Sequence, residues 1–228
     1  MRFKKFSPLG LISLCILLSR VFEGLTQVSY DFAIPLPPTG KIVSAISERY
    51  LGTYSCDVPA DLSYEFTGEG VYVISWNFNS ISRTTLRESS SYRVSNGWLH
   101  GVIANNSIPC ELEGEYYHFA IKRRELLVGE KSLNVLTKIS DRCYILNFAN
   151  AGDPGHFIPS IFEFKGNELY VKHFTYEDDT RLFDAIEGRQ ERKKGNLQEI
   201  TLHPTKEEWK RLNIEALSGE KKVYTKRK

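Results

Sequence analysis

The sequence predicts a mostly β protein, folded as an antiparallel barrel or a strongly curved sheet (lipocalin-like) with a short N-terminal helix and a C-terminal helix. Three observations lead to this fold class. The 228 residues include 13 Phe, 12 Tyr and 3 Trp, and aromatic side chains favour pleated, half-buried surfaces. Short apolar or alternating runs recur at about the 8–12 residue spacing of antiparallel strands. No long helical segment separates these runs, which disfavours a parallel α/β sheet.

The strand pattern is interrupted at intervals by turn residues. Asn96-Gly97 lies between two alternating runs and supplies positive φ at two successive positions, as a tight type I′ hairpin requires. Gly166-Asn167 predicts a second tight hairpin between two further runs. The predicted strands cover residues 50–57, 63–67, 71–78, 84–95, 98–104, 115–123, 133–139, 143–149, 160–165, 168–176 and, with the weakest pattern, 197–202.

Two short segments have helical spacing instead. Apolar residues within residues 41–50 recur at three- and four-residue intervals, which predicts the N-terminal helix. Near the other end, Thr205 and Glu208 form a capping-box pattern, which predicts a helix over residues 205–217. The polar residues 187–196 before it are expected to form an exposed loop.

Residues 1–26 are typical of a secretory signal peptide. Three positive charges within residues 2–5 precede an apolar run over residues 9–18, which is about half of the ~20 residues that a membrane-spanning helix needs. We therefore expect a secreted or periplasmic protein that begins near Gln27 and has no transmembrane segment in its mature chain. An uncleaved anchor, a buried helix and lipid attachment at Cys15 are the alternatives.

The expected organisation is a signal peptide over residues 1–26, a Pro-rich linker over residues 27–40 and a single barrel-like domain over residues 41–228 with a basic C-terminal tail. Residues 27–205 carry 18 basic and 23 acidic side chains, whereas residues 206–228 carry 8 basic and 4 acidic ones. The body is therefore mildly acidic. This balance argues against nucleic acid as a partner, because phosphate binding needs a concentrated basic face.

Three cysteines follow the predicted signal peptide, namely Cys56, Cys110 and Cys143. An oxidising compartment permits one disulfide among them, and the sequence leaves all three pairings open. All three thiols can equally be small buried apolar groups. The absence of a Cys-x-x-Cys pair gives no support to a thiol-exchange or zinc-ribbon role.

No complete catalytic motif is present, and residue spacing predicts no metal site and no cofactor. His118 and His173 are expected to occupy hydrogen-bonded positions within strands. The most unusual loop is residues 150–156, Asn-Ala-Gly-Asp-Pro-Gly-His, where Asp153 and His156 could form an acid–base pair if the loop brings them together. Asp-Pro and two glycines are also ordinary turn residues, which favours a structural loop and a protein that is not an enzyme.

Residues 49–54, Arg-Tyr-Leu-Gly-Thr-Tyr, resemble the start of a lipocalin-type (calycin) barrel. That superfamily opens with a short helical turn followed by Gly-x-Trp on the first strand, and this chain has Tyr54 in the place of the Trp. The resemblance implies a barrel that holds a small ligand. The chain departs from the family in having more than eight predicted strands, and in having its late helix precede a last strand.

A barrel of this size can hold a small apolar ligand among its inner side chains. We expect Trp76 and Trp98 to point inward, since Tyr72, Ile74 and Trp76 share one face of their strand. The candidate lining residues are Tyr54, Trp76, Phe78, Tyr92, Trp98, Tyr117 and Phe119. The function expected first is therefore an exported protein that binds a small apolar ligand.

The alternative function is a structural or protein-interaction module of the cell envelope, without a small ligand. The state of the interior separates the two, because an open apolar interior favours ligand binding and a filled one favours interaction.

The signal peptide leads to a first testable outcome. Mass spectrometry of the secreted or periplasmic protein should show an N-terminus between Leu25 and Tyr30, because the short apolar run is removed with the signal. An intact Met1 on a membrane-bound product would contradict this expectation.

Overall fold

A computed structural model gives the structure of the chain and describes residues 27–56, 62–104, 106–174, 183–212 and 218–227. The predicted signal peptide lies outside the described residues. Within these ranges the chain forms sixteen strands, two α-helices of six residues each and one 3-10 turn. The prediction of a mostly β protein is confirmed.

The elements follow one another along the chain with short connections. The strands are β1 (Gln27–Phe32), β2 (Lys41–Val43), β3 (Gly52–Ser55), β4 (Ser63–Phe66), β5 (Val71–Ser82), β6 (Arg93–Ser95), β7 (Trp98–Ile103), β8 (Asn106–Glu113), β9 (Tyr116–Val128), β10 (Val135–Ser140), β11 (Cys143–Ala149), β12 (Phe157–Lys165), β13 (Glu168–Phe174), β14 (Arg189–Lys194), β15 (Leu197–Leu202) and β16 (Ser218–Lys226); the helices are α1 (Arg83–Glu88) and α2 (Lys206–Arg211).

The chain divides into two compact units. The first unit contains the described residues up to Gly40, together with those of Asn147–Ser160 and Lys172–Glu220. The second unit contains those of Lys41–Leu146, Ile161–Val171 and Lys221–Lys228. Residues 41–228, which we expected to form one domain, therefore contribute to both units.

In the first unit, β1 lies between β15 and the start of β12. It pairs in parallel with β15, from Gln27 opposite Leu197 to Phe32 opposite Leu202, and its last residue pairs with Phe157 of antiparallel β12. Residues 27–32 are thus a strand and not part of a linker. The physical reason is the alternation of Val28, Tyr30 and Phe32 with polar residues, a strand pattern that the following prolines obscured.

Aromatic rings and one buried amide hold this unit together. The Phe183 ring lies 4.9 Å from that of Tyr30 and 5.9 Å from that of Phe32, measured between centroids. Asn147 is fully buried; its Oδ1 accepts from the backbone N–H of Leu36 at 2.7 Å, and its Nδ2 donates to the Leu36 carbonyl at 3.0 Å. These two bonds satisfy both sides of the amide and fix the proline-rich segment to the unit.

Residues 189–194, expected in a loop, form the edge strand β14. Its sequence is Arg-Gln-Glu-Arg-Lys-Lys, and all six side chains are exposed. It pairs with β15 through a turn in which Gly195 has a φ of 65°. A strand without apolar residues gives no hydrophobic period, so the sequence pattern could not reveal it. Charged edge strands of this kind discourage pairing with other chains.

The predicted capping box at the start of α2 is confirmed. The Thr205 hydroxyl accepts from the Glu208 N–H at 3.2 Å, and the Glu208 carboxylate accepts from the Thr205 N–H at 2.7 Å. The second oxygen of the same carboxylate accepts from the Glu187 N–H at 2.8 Å. The helix ends at Arg211, and residues 213–217 of the predicted helix lie outside the described residues.

In the second unit, the strands from β16 to β6 form one antiparallel path in the order β16-β3-β4-β5-β9-β8-β7-β6. β10 pairs with both β2 and β11 beside this path. The path ends at β6, which has only one neighbour, so it does not close into a barrel. The antiparallel sheet is as predicted, whereas the closed barrel is not confirmed.

Local turn chemistry in this unit agrees with the sequence at the two hairpins. Asn96 and Gly97 have φ values of 51° and 77°, and Ser95 pairs with Trp98 across the turn. Gly166 has a φ of 62° between β12 and β13. A two-residue hairpin with positive φ matches the twist of its strands.

Two further predicted elements differ from the structure. The expected helix over residues 41–50 is instead β2 followed by a 3-10 turn at Glu48–Tyr50. The expected strand over residues 84–95 begins with α1, because the Ser82 hydroxyl caps the N–H of Thr85 at 3.0 Å. A capping serine before a six-residue helix outweighs the β-propensity of the two threonines that follow.

The core of the second unit is a cluster of aromatic rings centred on Phe164. The Phe164 ring lies 4.5 Å from the ring of Tyr50, in a stacked arrangement. The rings of Tyr54, Phe66 and Tyr144 surround it at 5.5, 5.2 and 6.1 Å with their edges directed at faces. Edge-to-face and offset-stacked pairs at these distances stabilise beyond the apolar area that they bury.

Replacing Phe164 with Ala should therefore lower the free energy of unfolding by about 3–5 kcal/mol, because the change removes a fully buried ring and leaves a cavity. Phe78→Ala is the matched control, since that ring is 64% exposed and its loss should cost less than about 1 kcal/mol. Urea unfolding measures both changes. Equal losses in the two variants would contradict the central role of Phe164.

The Glu208 carboxylate gives the capping box a pH dependence. Hydrogen bonds from the backbone of Thr205, and then of Glu187, hold its pKa below the ordinary value of 4.5. Its contribution to stability is therefore present above pH 4.5 and is lost as the pH falls through the lowered pKa. Glu208→Gln should be less stable than the unaltered protein at pH 7, and the difference should shrink below pH 4.5 in urea unfolding. A pH-independent difference would show that the charge does not act.

Candidate functional site

The structure separates the seven predicted lining residues into one core residue, three exposed residues of one sheet face and three further residues, Tyr92, Tyr117 and Phe119. Tyr54 belongs to the core: it is fully buried, and its hydroxyl donates to the Tyr50 carbonyl at 3.0 Å. Burial, followed by the nearby Tyr50 ring, raises the pKa of Tyr54 to about 12. Tyr54 therefore fills the interior of the second unit and lines no groove described here.

Trp76, Phe78 and Trp98 lie on the surface of the second unit. Trp76 is 42% exposed, Phe78 64% and Trp98 45%. The prediction that Trp76 and Trp98 point into a barrel is wrong. β4 pairs with β5 as far as Ile74, and Trp76, the next residue on that face, is only partly covered by the described residues.

Four aromatic residues lie on one side of the sheet, which we call the aromatic face: Trp76, Phe78, Trp98 and Tyr116. Ser80 and His118 separate Tyr116 from Phe78. Phe78 lies opposite Ala120 and Trp98 opposite Pro109. Cys110 pairs with Phe119, so the preceding Pro109 and the following Ala120 are neighbours on the other side of the sheet. A row of adjacent side chains thus runs from Trp98 to Phe78 across four strands.

Charged groups border the aromatic face. Lys122 lies opposite Trp76, with its ammonium nitrogen 6.0 Å from the ring centroid. His118 lies opposite both Ser80 of β5 and Glu111 of β8, which puts an imidazole and a carboxylate beside the rings. The arrangement is an apolar centre with a polar margin, as in protein-binding surfaces.

Four residues on one side of the sheet, Phe78, Pro109, His118 and Ala120, line a shallow groove of about 430 Å³, whose lining also includes the neighbouring residue Phe119. The small Ala120 side chain leaves room between its larger neighbours. Among the groups along this groove is the Cys110 thiol, whose pKa is raised by burial.

Tyr92 and Tyr117 line a second groove of about 430 Å³, with Leu86 of α1 and Val94 of β6. Three arginines border it, at positions 83, 87 and 93. The structure therefore brings Tyr92 and Tyr117 to one groove, whereas Phe119 points to the opposite side of the sheet from Phe78. It does not bring Tyr54 to either groove.

Sequence reasoning did not commit to a polar cavity in the first unit. There the Nδ1 atom of His156 lies 3.2 Å from a carboxylate oxygen of Asp153 and 3.2 Å from Oδ2 of Asp31. The proximity of Asp153 and His156 was one of the readings of the loop over residues 150–156. Asp31 was missed because it was assigned to a linker; its place in an alternating apolar run was the signal.

The structure also bears on the expected positions of His173, the three cysteines and possible metal ligands. His173 Nδ1 lies 2.9 Å from the Ser160 hydroxyl, in agreement with a hydrogen-bonded strand position. Cys56, Cys110 and Cys143 form no disulfide with one another. Within the described ranges, no group of three or more His, Cys, Asp or Glu side chains is arranged to hold a metal ion.

Two further findings concern membrane-spanning helices and similarity to known proteins. Across the described part of the chain, no helix has the length and apolar character needed to span a bilayer. Comparison with protein-family models, with curated proteins and with solved structures found no match. The antiparallel β architecture is compatible with the resemblance at residues 49–54, and the lipocalin family itself stays a prediction.

Proposed function

We propose that this chain is an exported protein-interaction module of the cell envelope or the extracellular space, and that it docks a protein partner on the aromatic face. The observation that carries this proposal is the exposure of Trp76, Phe78, Trp98 and Tyr116 on one side of one sheet. The export signal over residues 1–26 supports the compartment.

Leaving such a patch in water is unfavourable, because apolar area gains free energy when it is removed from water. Soluble proteins scatter single apolar residues over their surfaces, whereas contiguous patches mark interaction sites. Trp and Tyr are also the residue types that contribute most to binding energy at protein interfaces. Both types are present on the aromatic face.

The margin of the face suggests the chemistry of the partner. Lys122 and Glu111 are exposed and of opposite sign, so a partner with an apolar centre and a mixed charged rim is complementary to it. Such rim charges affect association rate and specificity more than affinity.

The interior supports this choice over a ligand held inside a barrel. Tyr54, Phe66 and Phe164 occupy the core of the second unit ring against ring. Of the two functions expected from the sequence, a filled interior favours interaction.

A small apolar ligand is the second candidate, at a different place from that first expected. The groove beside Phe78 has a volume of about 430 Å³, within the ~300–1,000 Å³ of small-molecule sites. It is open to solvent on the surface, so a ligand there would be partly covered. A lipocalin-like binding role rests on this groove and on residues 49–54.

Site-specific photo-crosslinking tests the main proposal. A photoreactive amino acid at Ser80, on the aromatic face, should give an adduct with one protein in the native compartment, because Ser80 adjoins Phe78 and His118. The same amino acid at exposed Lys193 of β14 is the control and should not give that adduct.

Binding of the purified partner then quantifies the contact. Phe78→Ala and Trp98→Ala should each weaken its binding by about tenfold or more, as truncation of interface aromatics does. Leu133→Ala is the matched control, since Leu133 is 82% exposed but lies outside the face, and its binding should stay within about twofold. Unchanged affinity in both aromatic variants would contradict the proposal. Saturable binding of an apolar fluorophore, without any adduct, would favour the groove ligand.

A further inference from the structure

The groove of about 430 Å³ that Tyr92 and Tyr117 line belongs to the second unit and is separate from the aromatic face. Successive residues of a strand point to opposite sides of the sheet. Tyr116 is part of the aromatic face, so Tyr117, the next residue of β9, points to the other side, where residues of α1 line the same groove. A ligand in this groove therefore leaves the aromatic face free for a protein partner.

The uncharged side chains of the groove are mainly apolar or aromatic. Tyr117, Val94 of β6 and Leu86 of α1 are half-buried, and Tyr92 is 37% exposed. The volume is within the ~300–1,000 Å³ of small-molecule sites. Two tyrosine rings at such a site can pack against a flat apolar body, because aromatic rings favour stacked and edge-to-face contacts.

The charged residues that line the groove all have the same sign. They are Arg83 and Arg87 of α1 and Arg93 of the edge strand β6, and no described Asp or Glu is part of the lining. The surrounding chain has the opposite balance, since residues 27–205 carry 18 basic and 23 acidic side chains. A groove lined by one sign of charge raises the local concentration of ligands of the other sign.

The protein itself compensates these arginines only in part. Nη1 of Arg83 lies 3.8 Å from Oε1 of Glu115, whose side chain is 74% exposed, and exposed ion pairs contribute little to stability. Arg87 and Arg93 form no ion pair with any residue that the structure describes. Their N–H donors are therefore available to an anion.

The spacing of two of the arginines also favours an anion. Arg83 and Arg87 are four residues apart in a helix of six residues, so two like charges lie on one helical face and repel each other. The first turn of α1 contains no acidic residue that would offset this repulsion. An anion bound between them removes the repulsion.

We propose that this groove binds a small organic anion with a flat apolar body: an aryl carboxylate, sulfate or phosphate. Its ring lies against Tyr92 and Tyr117, and its oxygen atoms accept from the arginines. The guanidinium group presents its N–H donors in a planar fork that matches two oxygens of such an anion. Hydrogen bonds between an ionised donor and an ionised acceptor are stronger than those between neutral groups.

Titration of the full mature chain with three matched probes tests the proposal. The probes are naphthalene-2-sulfonate, 2-naphthylmethanol, which has the ring without the charge, and sulfate, which has the charge without the ring. NMR should show saturable shifts of residues 83–94 with the sulfonate. The other two should bind at least about tenfold more weakly, because each lacks one of the two contacts. The affinity for the sulfonate should also fall as the salt concentration rises.

Variants connect the binding to the groove. Arg87→Gln removes an exposed charge that has no ion pair in the described chain, and it should weaken sulfonate binding by about fivefold or more. Arg87→Lys keeps the charge and should bind more tightly than Arg87→Gln. Tyr92→Ala should weaken binding through the lost ring contact, and Arg87→Gln keeps the test decisive if Tyr92→Ala does not fold. Arg123→Gln is the matched control, since Arg123 is an exposed arginine of β9 outside the groove and its loss should change the affinity by less than about twofold.

Three results would overturn the proposal. Equal affinity for the sulfonate and the alcohol would show that the arginines take no part in binding. Sulfate that binds as tightly as the sulfonate would show that the tyrosines take no part. Sulfonate binding that both Arg87→Gln and Tyr92→Ala leave unchanged would place the probe elsewhere on the chain.

Discussion

The contact of Phe164 with four other rings is the interaction on which the second unit depends. Phe164 belongs to β12, whereas Tyr54 belongs to β3, Phe66 to β4 and Tyr144 to β11, so one side chain joins four strands that are distant in sequence. Tyr50 extends the cluster to the 3-10 turn. Because rings occupy these inward positions, the inner side chains of this unit stabilise its fold.

The aromatic face follows from the length of two strands. β5 has 12 residues and β9 has 13, and they pair over almost their whole length. The core covers only the first part of β5, up to Ile74. Beyond it, the strand keeps its alternation of side chains, and the described residues leave Trp76 and Phe78 partly exposed. These exposed rings are the basis of the proposed docking surface.

The sequence predicts the features of this fold that neighbouring residues determine, and it does not predict those that depend on residues far apart in the chain. The hairpin at Asn96-Gly97 and the capping box of Thr205 and Glu208 follow from neighbouring residues alone, and both were predictable. The outward direction of Trp76 was not predictable. Trp76 and Ile74 share one face of β5, and they differ only in that Ile74 lies within the part of β5 that pairs with β4. The contact between Asp31 and His156 joins residues 125 positions apart, and no local pattern reports such a distance.

The polar cavity takes its geometry from the hydrophobic side of the same strand. Tyr30 and Phe32 alternate with Asp31 along β1, and their rings are held by Phe183 in the core of the first unit. A slip of one residue in the pairing of β1 with β15 would move Asp31 into the core and a ring into the cavity. The position of the carboxylate is thus set by packing that never touches it. Substitutions that loosen Phe32 should disturb the cavity as much as changes to its own lining, because the two faces of a strand share one register.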